Sequence, residues 1–174
     1  MNELKPIVTL EPCEVSVMKL HAKYVQIYQD LVGNQTKKVD ATRSDLEINI
    51  IGYVVEYAIC KYLGIPFEGD PARKRDEGFD FHYKGYTWEV KGVTRPSGDF
   101  YVRYRPTYFR AQGGVLAHLL HGRLDKVQLL GWTSREEFLK NNTEKDYNNY
   151  GKPCFAMEQN QLYDIPSLLT LAEA

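Results

Sequence analysis

From residue 14 to residue 31, EVSVMKLHAKYVQIYQDL, apolar side chains recur at Val17, Leu20, Tyr24, Ile27 and Leu31. Spacings of three and four residues mark one face of a helix. VGNQTKKVDATRS then reads as a polar loop. Ser44 or Asp45 caps a second helix whose stripe is Ile48, Ile51, Val55, Ile59 and Leu63, and Gly64 followed by Pro66 ends it. After the charged turn region EGDPARKRDEG the period changes to two. GFDFHYKGYTWEVKG (residues 78–92) reads as a β-hairpin and DFYVRYR as a strand. GGVLAHLLHGRLDKVQLLGWTS gives two strands joined at His121–Lys126. Ser134 caps a short helix, REEFLKN, with Glu137 completing a capping box. NNTEKDYNNYGKP reads as a loop, CFAMEQNQLY as a final strand, and IPSLLTLAEA as a last helical turn. Helices first and consecutive strands after them predict an α/β sandwich on a central mixed sheet.

The length, 174 residues, suits one domain over 1–174. Its expected parts are helices over about 12–64, a sheet core over about 78–133, and a C-terminal helix and strand over about 134–174. No apolar run reaches the roughly 18–20 residues of a membrane span. MNELKPIVTLEPCEV lacks the basic start and apolar centre of a signal peptide, so a cytoplasmic location is expected. Cys13, Cys60 and Cys154 are odd in number and far apart, which argues against a disulfide framework or a cysteine zinc site. The net charge of −1 weighs against a non-specific nucleic-acid coat, but not against an enzyme with a local basic rim. It also suggests action within a complex or as a homodimer that pools two such rims.

The hairpin carries the candidate chemistry. If Lys84-Gly85 is a two-residue turn, Phe81 pairs with Trp88 and Asp80 with Glu89. Phe81, Tyr83, Tyr86, Trp88 and Val90 then share the core face, and Asp80, His82, Thr87, Glu89 and Lys91 the other. Opposed Cβ atoms lie about 4.5–5.5 Å apart, where like charges are unfavourable. A bound Mg²⁺ is one reason to place two carboxylates there, with Val90's carbonyl as a further ligand and waters and a substrate phosphate completing the shell. Lys91 lies on the same face, about 6–7 Å beyond Glu89. An ammonium there orients an attacking water, takes its proton if its own pKa is lowered, or stabilises charge developing on phosphorus. A solvated strand face with a Glu–Lys ion pair accounts for the same pattern without chemistry.

Asp80, eight residues, then Glu89-Val90-Lys91 resembles the signature of the PD-(D/E)XK nuclease superfamily, with Gly78-Phe79 where the usual proline would lead. IGYVVEYAICKYLG (residues 51–64) is similar to the helix that precedes the hairpin in many members, with Glu56 at the glutamate that points to the metal site. Glu56 lies in line with Gly52 and Cys60 at four-residue spacing, and the small Gly52 would leave room for a strand or substrate. The resemblance spans about residues 46–140 and is to small phage and bacterial members. It implies a restriction-endonuclease-like αβα sandwich, a mixed sheet of four or five strands flanked by helices. It also implies Mg²⁺- or Mn²⁺-dependent DNA hydrolysis leaving a 5′-phosphate. Asp80, Glu89 and the Val90 carbonyl would hold the metal. Glu56 would bind a second metal or a metal water, and Lys91 would position the nucleophile. A viral origin, with action in the host cytoplasm, is compatible with it. A catalytically silent DNA-binding or structural subunit of the same fold is the alternative.

Arginine forks bind phosphate and tyrosine rings stack on bases. Tyr101, Arg103 and Arg105 alternate onto one strand face, and Arg95 and Arg73-Lys74-Arg75 flank the hairpin, so these are the candidate DNA contacts. Arginines on a solvated strand edge are the competing explanation. His118 and His121 are read as structural, because three-residue spacing on a strand puts them on opposite faces. No phosphate-binding glycine loop, dinucleotide fingerprint or serine elbow is present, so no nucleotide cofactor is expected.

Overall fold

The structure is a computed structural model that describes residues 5–32, 43–69, 78–146 and 153–173. The expected basic stretch Arg73–Arg75 lies outside the described residues, as do most of the two polar loops read from the sequence. In chain order the elements are β1 (Ile7–Thr9), α1 (Pro12–Leu31), α2 (Asp45–Leu63), β2 (Phe81–Tyr83), β3 (Tyr86–Val93), β4 (Phe100–Arg103), β5 (Gly113–Leu119), β6 (Lys126–Ser134), α3 (Arg135–Asn141), β7 (Thr143–Lys145), β8 (Cys154–Met157) and α4 (Ile165–Leu169).

Local chemistry sets several of these limits. At α2 the Ser44 hydroxyl accepts from the Glu47 N–H at 3.2 Å while the Glu47 carboxylate accepts from the Ser44 N–H at 2.8 Å. That reciprocal pair satisfies two of the helix's orphan donors. The helix stops at Gly64, whose φ of +68° costs a glycine little. At α3 the expected capping box is half made. Ser134 accepts from the Glu137 N–H at 3.1 Å, but the Glu137 carboxylate turns to Asn141 instead.

β1, β6, β5, β3 and β2 form one mixed sheet in that order, with β3 and β5 parallel and the other neighbours antiparallel. This agrees with the expected mixed sheet of four or five strands. β1 was not expected, and its three residues are too few to show a period. One face of the sheet packs against α2 through Val54, Val55, Ala58 and Ile59, which meet Trp88, Val90, Val115 and Leu129. α1 lies antiparallel along α2. Tyr57 donates to Glu14 at 2.9 Å, the His21 and Tyr53 rings meet edge-on at 4.5 Å, and Asn49 donates to Gln26 at 2.9 Å. α4 closes the same face, with Trp132 donating to Ser167 at 2.9 Å.

The other face departs from the expected αβα sandwich. It is covered by α3 together with a second antiparallel sheet ordered β4-β8-β7. Phe100, Val102, Phe109, Leu116, Leu130, Phe138 and Met157 form its core. The seven-residue α3 is too short to cover five strands, and the alternating apolar residues of β4 and β8 do so instead. β7 lies within the stretch read as a loop, and the expected final strand ends at Met157.

The stripe read on α1 also faces the other way. Met18, Ala22 and Val25 are the buried residues, while Val17, Leu20, Tyr24, Ile27 and Leu31 are 57–80% exposed. Both sets recur at helical spacing. The spacing alone does not say which of the two faces α2.

Candidate active site

The turn of the hairpin forms as expected. Lys84 and Gly85 both have positive φ, +53° and +81°, as a two-residue type I′ turn demands. Lysine is unusual there, and its side chain supplies the reason. Its Nζ donates to the carbonyls of Leu169 (2.8 Å) and Leu171 (2.6 Å), at and beyond the C-terminus of α4. The ladder then runs Tyr83–Tyr86, His82–Thr87 and Phe81–Trp88. Phe81, Trp88 and Val90 are buried, with Tyr83 and Tyr86 packed against them, so the aromatic face is the core face.

The expected pairing of Asp80 with Glu89 is not made. The ladder ends at Phe81–Trp88. The Asp80 N–H instead donates to the Trp88 carbonyl at 2.7 Å, and its carboxylate accepts from the Val90 N–H at 2.6 Å. Turning the chain in this way takes Asp80 out of register with Glu89 and avoids the like-charge opposition that strict pairing imposes. It also sets Asp80 against the backbone of Val90, whose N–H is thereby engaged.

Glu89 and Lys91 share the face opposite the aromatic one and form a direct ion pair, with side chains 19% and 30% exposed. Burial pulls the lysine's pKa down. The Glu89 carboxylate, with Asp80 and Tyr101 behind it, outweighs that and holds the ammonium above the ordinary lysine value. Of the three roles open to Lys91, the raised pKa favours orienting a water or stabilising charge over accepting a proton.

On the helix side, Glu56 lies one turn from buried Cys60. Burial, then the charges of Glu56, Glu68 and Asp80, push the Cys60 thiol up to about 12. Glu68 was not singled out in the sequence. It lies in an irregular segment after α2, and its carboxylate is 3.6 Å from His82 Nδ1. Among the described residues nothing lies within 4 Å of where a Cβ on Gly52 would stand.

The cationic candidates divide. Tyr101 and Arg103 share one half-buried face of β4, as expected, and Tyr101 lies within electrostatic reach of Lys91. Arg105 does not join them, because β4 ends at Arg103 and Tyr104 follows with φ +70°. Arg95 is exposed in the loop after β3. Arg110 was missed: its Cβ, Cγ and Cδ lie within 3.4 Å of where a Cβ on Gly78 would stand, beside the start of the hairpin. His118 is buried and His121 sits in a turn at φ +53°, in keeping with structural roles.

Among the described residues no three His, Cys, Asp or Glu side chains converge closely enough to hold a metal by themselves. Among them, too, no helix is long and apolar enough to cross a membrane. Searches against protein-family models, curated proteins and solved structures return no match.

Proposed function

We propose that the chain is a divalent-metal-dependent nuclease that hydrolyses DNA phosphodiester bonds, on a restriction-endonuclease-like variant of the α/β fold described above. The observation that carries this reading is the hairpin, where Glu89 and Lys91 are in direct contact and Asp80 acts on the same lysine at the end of a ladder, while α2, which carries Glu56, packs on the opposite face of β3. The donor chemistry fits Mg²⁺ or Mn²⁺. The carboxylates of Asp80 and Glu89 are hard oxygen donors of the kind Mg²⁺ prefers. Two protein carboxylates, with waters and a substrate phosphate, make an ordinary Mg²⁺ shell. A cation held there would supply Lewis-acid activation of water and neutralise charge at the scissile phosphate.

The chain's own groups have distinct tasks in this reading. Lys91 remains an ammonium, so it orients the nucleophile and stabilises charge rather than accepting a proton. Asp80 holds the hairpin's open end through the Val90 N–H. Tyr101, Arg103, Arg95 and Arg110 line the approach for the DNA backbone, with Arg105 outside that group.

A second reading, a catalytically silent DNA-binding or structural subunit, has its own support. Glu89 and Lys91 satisfy one another, and Asp80 has a backbone partner, so each group has a structural role without a metal.

The test is cleavage of linear, nicked, branched and single-stranded DNA with Mg²⁺, Mn²⁺ or EDTA, using Lys91→Ala and Asp80→Asn as controls. Metal-dependent cutting that falls by about a hundredfold or more in Lys91→Ala supports the enzyme. DNA binding without cutting on every substrate supports the silent subunit. Cutting that survives Lys91→Ala refutes the site.

A further inference from the structure

The exposed stripe of α1 has no role in the fold or in the nuclease reading. Val17, Leu20, Tyr24, Ile27 and Leu31 are 57%, 69%, 57%, 59% and 80% exposed, and Tyr28 and Val32 extend the patch. Their spacings, 3-4-3-4, are the a and d positions of a heptad seam held for four consecutive steps. At 100° per residue the stripe's centre lies about 150° around the helix from Met18, Ala22 and Val25, so α2 cannot cover it. A contiguous row of large apolar side chains exposed on one helix face is the kind of patch that marks an interaction surface.

We infer that α1 is a self-association surface, on which α1 of a second copy of this chain packs antiparallel across a two-fold axis. The occupant follows from the pattern and the flanking charges. A seam with apolar residues at every a and d position from Val17 to Leu31 matches another helix bearing the same seam, and the chain itself supplies one. Lys23 and Asp30 occupy successive g positions beside the seam and are both exposed. In an antiparallel pair g faces g′. Setting Tyr24 against the partner's Ile27, and Leu20 against its Leu31, brings Lys23 beside the partner's Asp30 twice about the axis. Shifting the partner by one heptad leaves Leu31 outside the seam and sets Lys23 against its own copy. A parallel pair sets the g positions against e′, where His21 and Tyr28 stand, and forms no Lys–Asp pair. Only the first arrangement buries the most exposed leucine and pairs both charges.

The experiment is sedimentation equilibrium of the full chain over about 1–200 µM, with circular dichroism confirming the fold of each variant. The wild type is expected to be a concentration-dependent dimer. Leu20→Asp/Ile27→Asp removes two seam residues that lie outside the core, and is expected to weaken the dimer about a hundredfold or more while leaving the helical signal unchanged. Lys23→Glu alone sets two carboxylates together twice and is expected to raise the dimer Kd about tenfold. The double swap Lys23→Glu/Asp30→Lys is expected to restore it. A wild-type monomer at the highest concentration overturns the inference. So does a dimer indifferent to Leu20→Asp/Ile27→Asp, which places the contact elsewhere, or a charge swap that fails to rescue, which excludes the antiparallel register.

Discussion

Gly113 and Gly114 open β5, and the structure gives them a packing role that a single methyl group can test. A Cβ on Gly114 would stand 2.3 Å from Phe100 Cζ, 2.5 Å from its Cε2 and 3.0 Å from Phe109 Cζ. These are not the free ends of flexible side chains. Phe100 is fully buried, with ring centroids 5.2 Å from Phe109 and 5.6 Å from Phe138. The methyl of Gly114→Ala therefore has to displace a ring wedged between two others, or lift β5 from β3. Overpacking of this kind costs about 1–3 kcal/mol. For a domain near this size each kcal/mol moves Tm by about 2–4 °C, so a fall of about 2–12 °C is expected.

The effect reaches the candidate site, because Gly114 is the ladder partner of Glu89. Gly52→Ala is the control with the opposite sign. A Cβ there meets nothing within 4 Å and the position is helical, so replacing glycine should stabilise by about 0.5–1 kcal/mol. Urea unfolding followed by the fluorescence of Trp88 and Trp132 measures both variants on one scale. Equal midpoints for Gly114→Ala and the wild type would refute the account of the second core. A destabilised Gly52→Ala would mean that something packs against α2 where the structure has open space.

Two further expectations concern titration and reactivity. Burial alone would raise the Glu14 carboxyl, but the Lys61 ammonium at 2.6 Å, the Glu11 N–H and the Tyr57 hydroxyl outweigh it and hold its pKa below the ordinary 4.5. Its contribution to stability is therefore present above pH 4.5 and is lost as pH falls through the lowered folded value. Glu14→Gln should flatten the acid limb of a urea-midpoint profile below pH 4.5 relative to wild type, and an unchanged limb would show that the α1–α2 ion pair is not formed. With its thiol pushed up to about 12, buried Cys60 should resist iodoacetamide at pH 8 in the folded protein while exposed Cys13 is alkylated. Mass spectrometry of the peptides distinguishes them, and early labelling of Cys60 would contradict its burial.

Much of the local structure was legible because it depends on neighbours in sequence. Ser44 and Gly64 bound α2, Lys84-Gly85 makes the turn it was read as, and the alternation from Phe81 to Val90 assigns the core face correctly. The side-by-side placement of Glu89 and Lys91 follows from the same period of two. Glu68 and Arg110 left no comparable signal. Each lies in irregular backbone and reaches the hairpin only through folding, and no spacing rule encodes that proximity.

What the chain determined by itself is therefore the set of elements and the chemical character of the hairpin, since caps, turns and periodicity act within a few residues. Tertiary structure alone decided the rest. It chose Met18, Ala22 and Val25 over the other stripe of α1, because both recur at helical spacing and only the position of α2 distinguishes them. It covered the second sheet face with β4, β8 and β7, because α3 is too short. It also turned Asp80 out of the ladder onto the Val90 amide, because two carboxylates held directly opposite each other repel, while a backbone N–H offers one of them a partner.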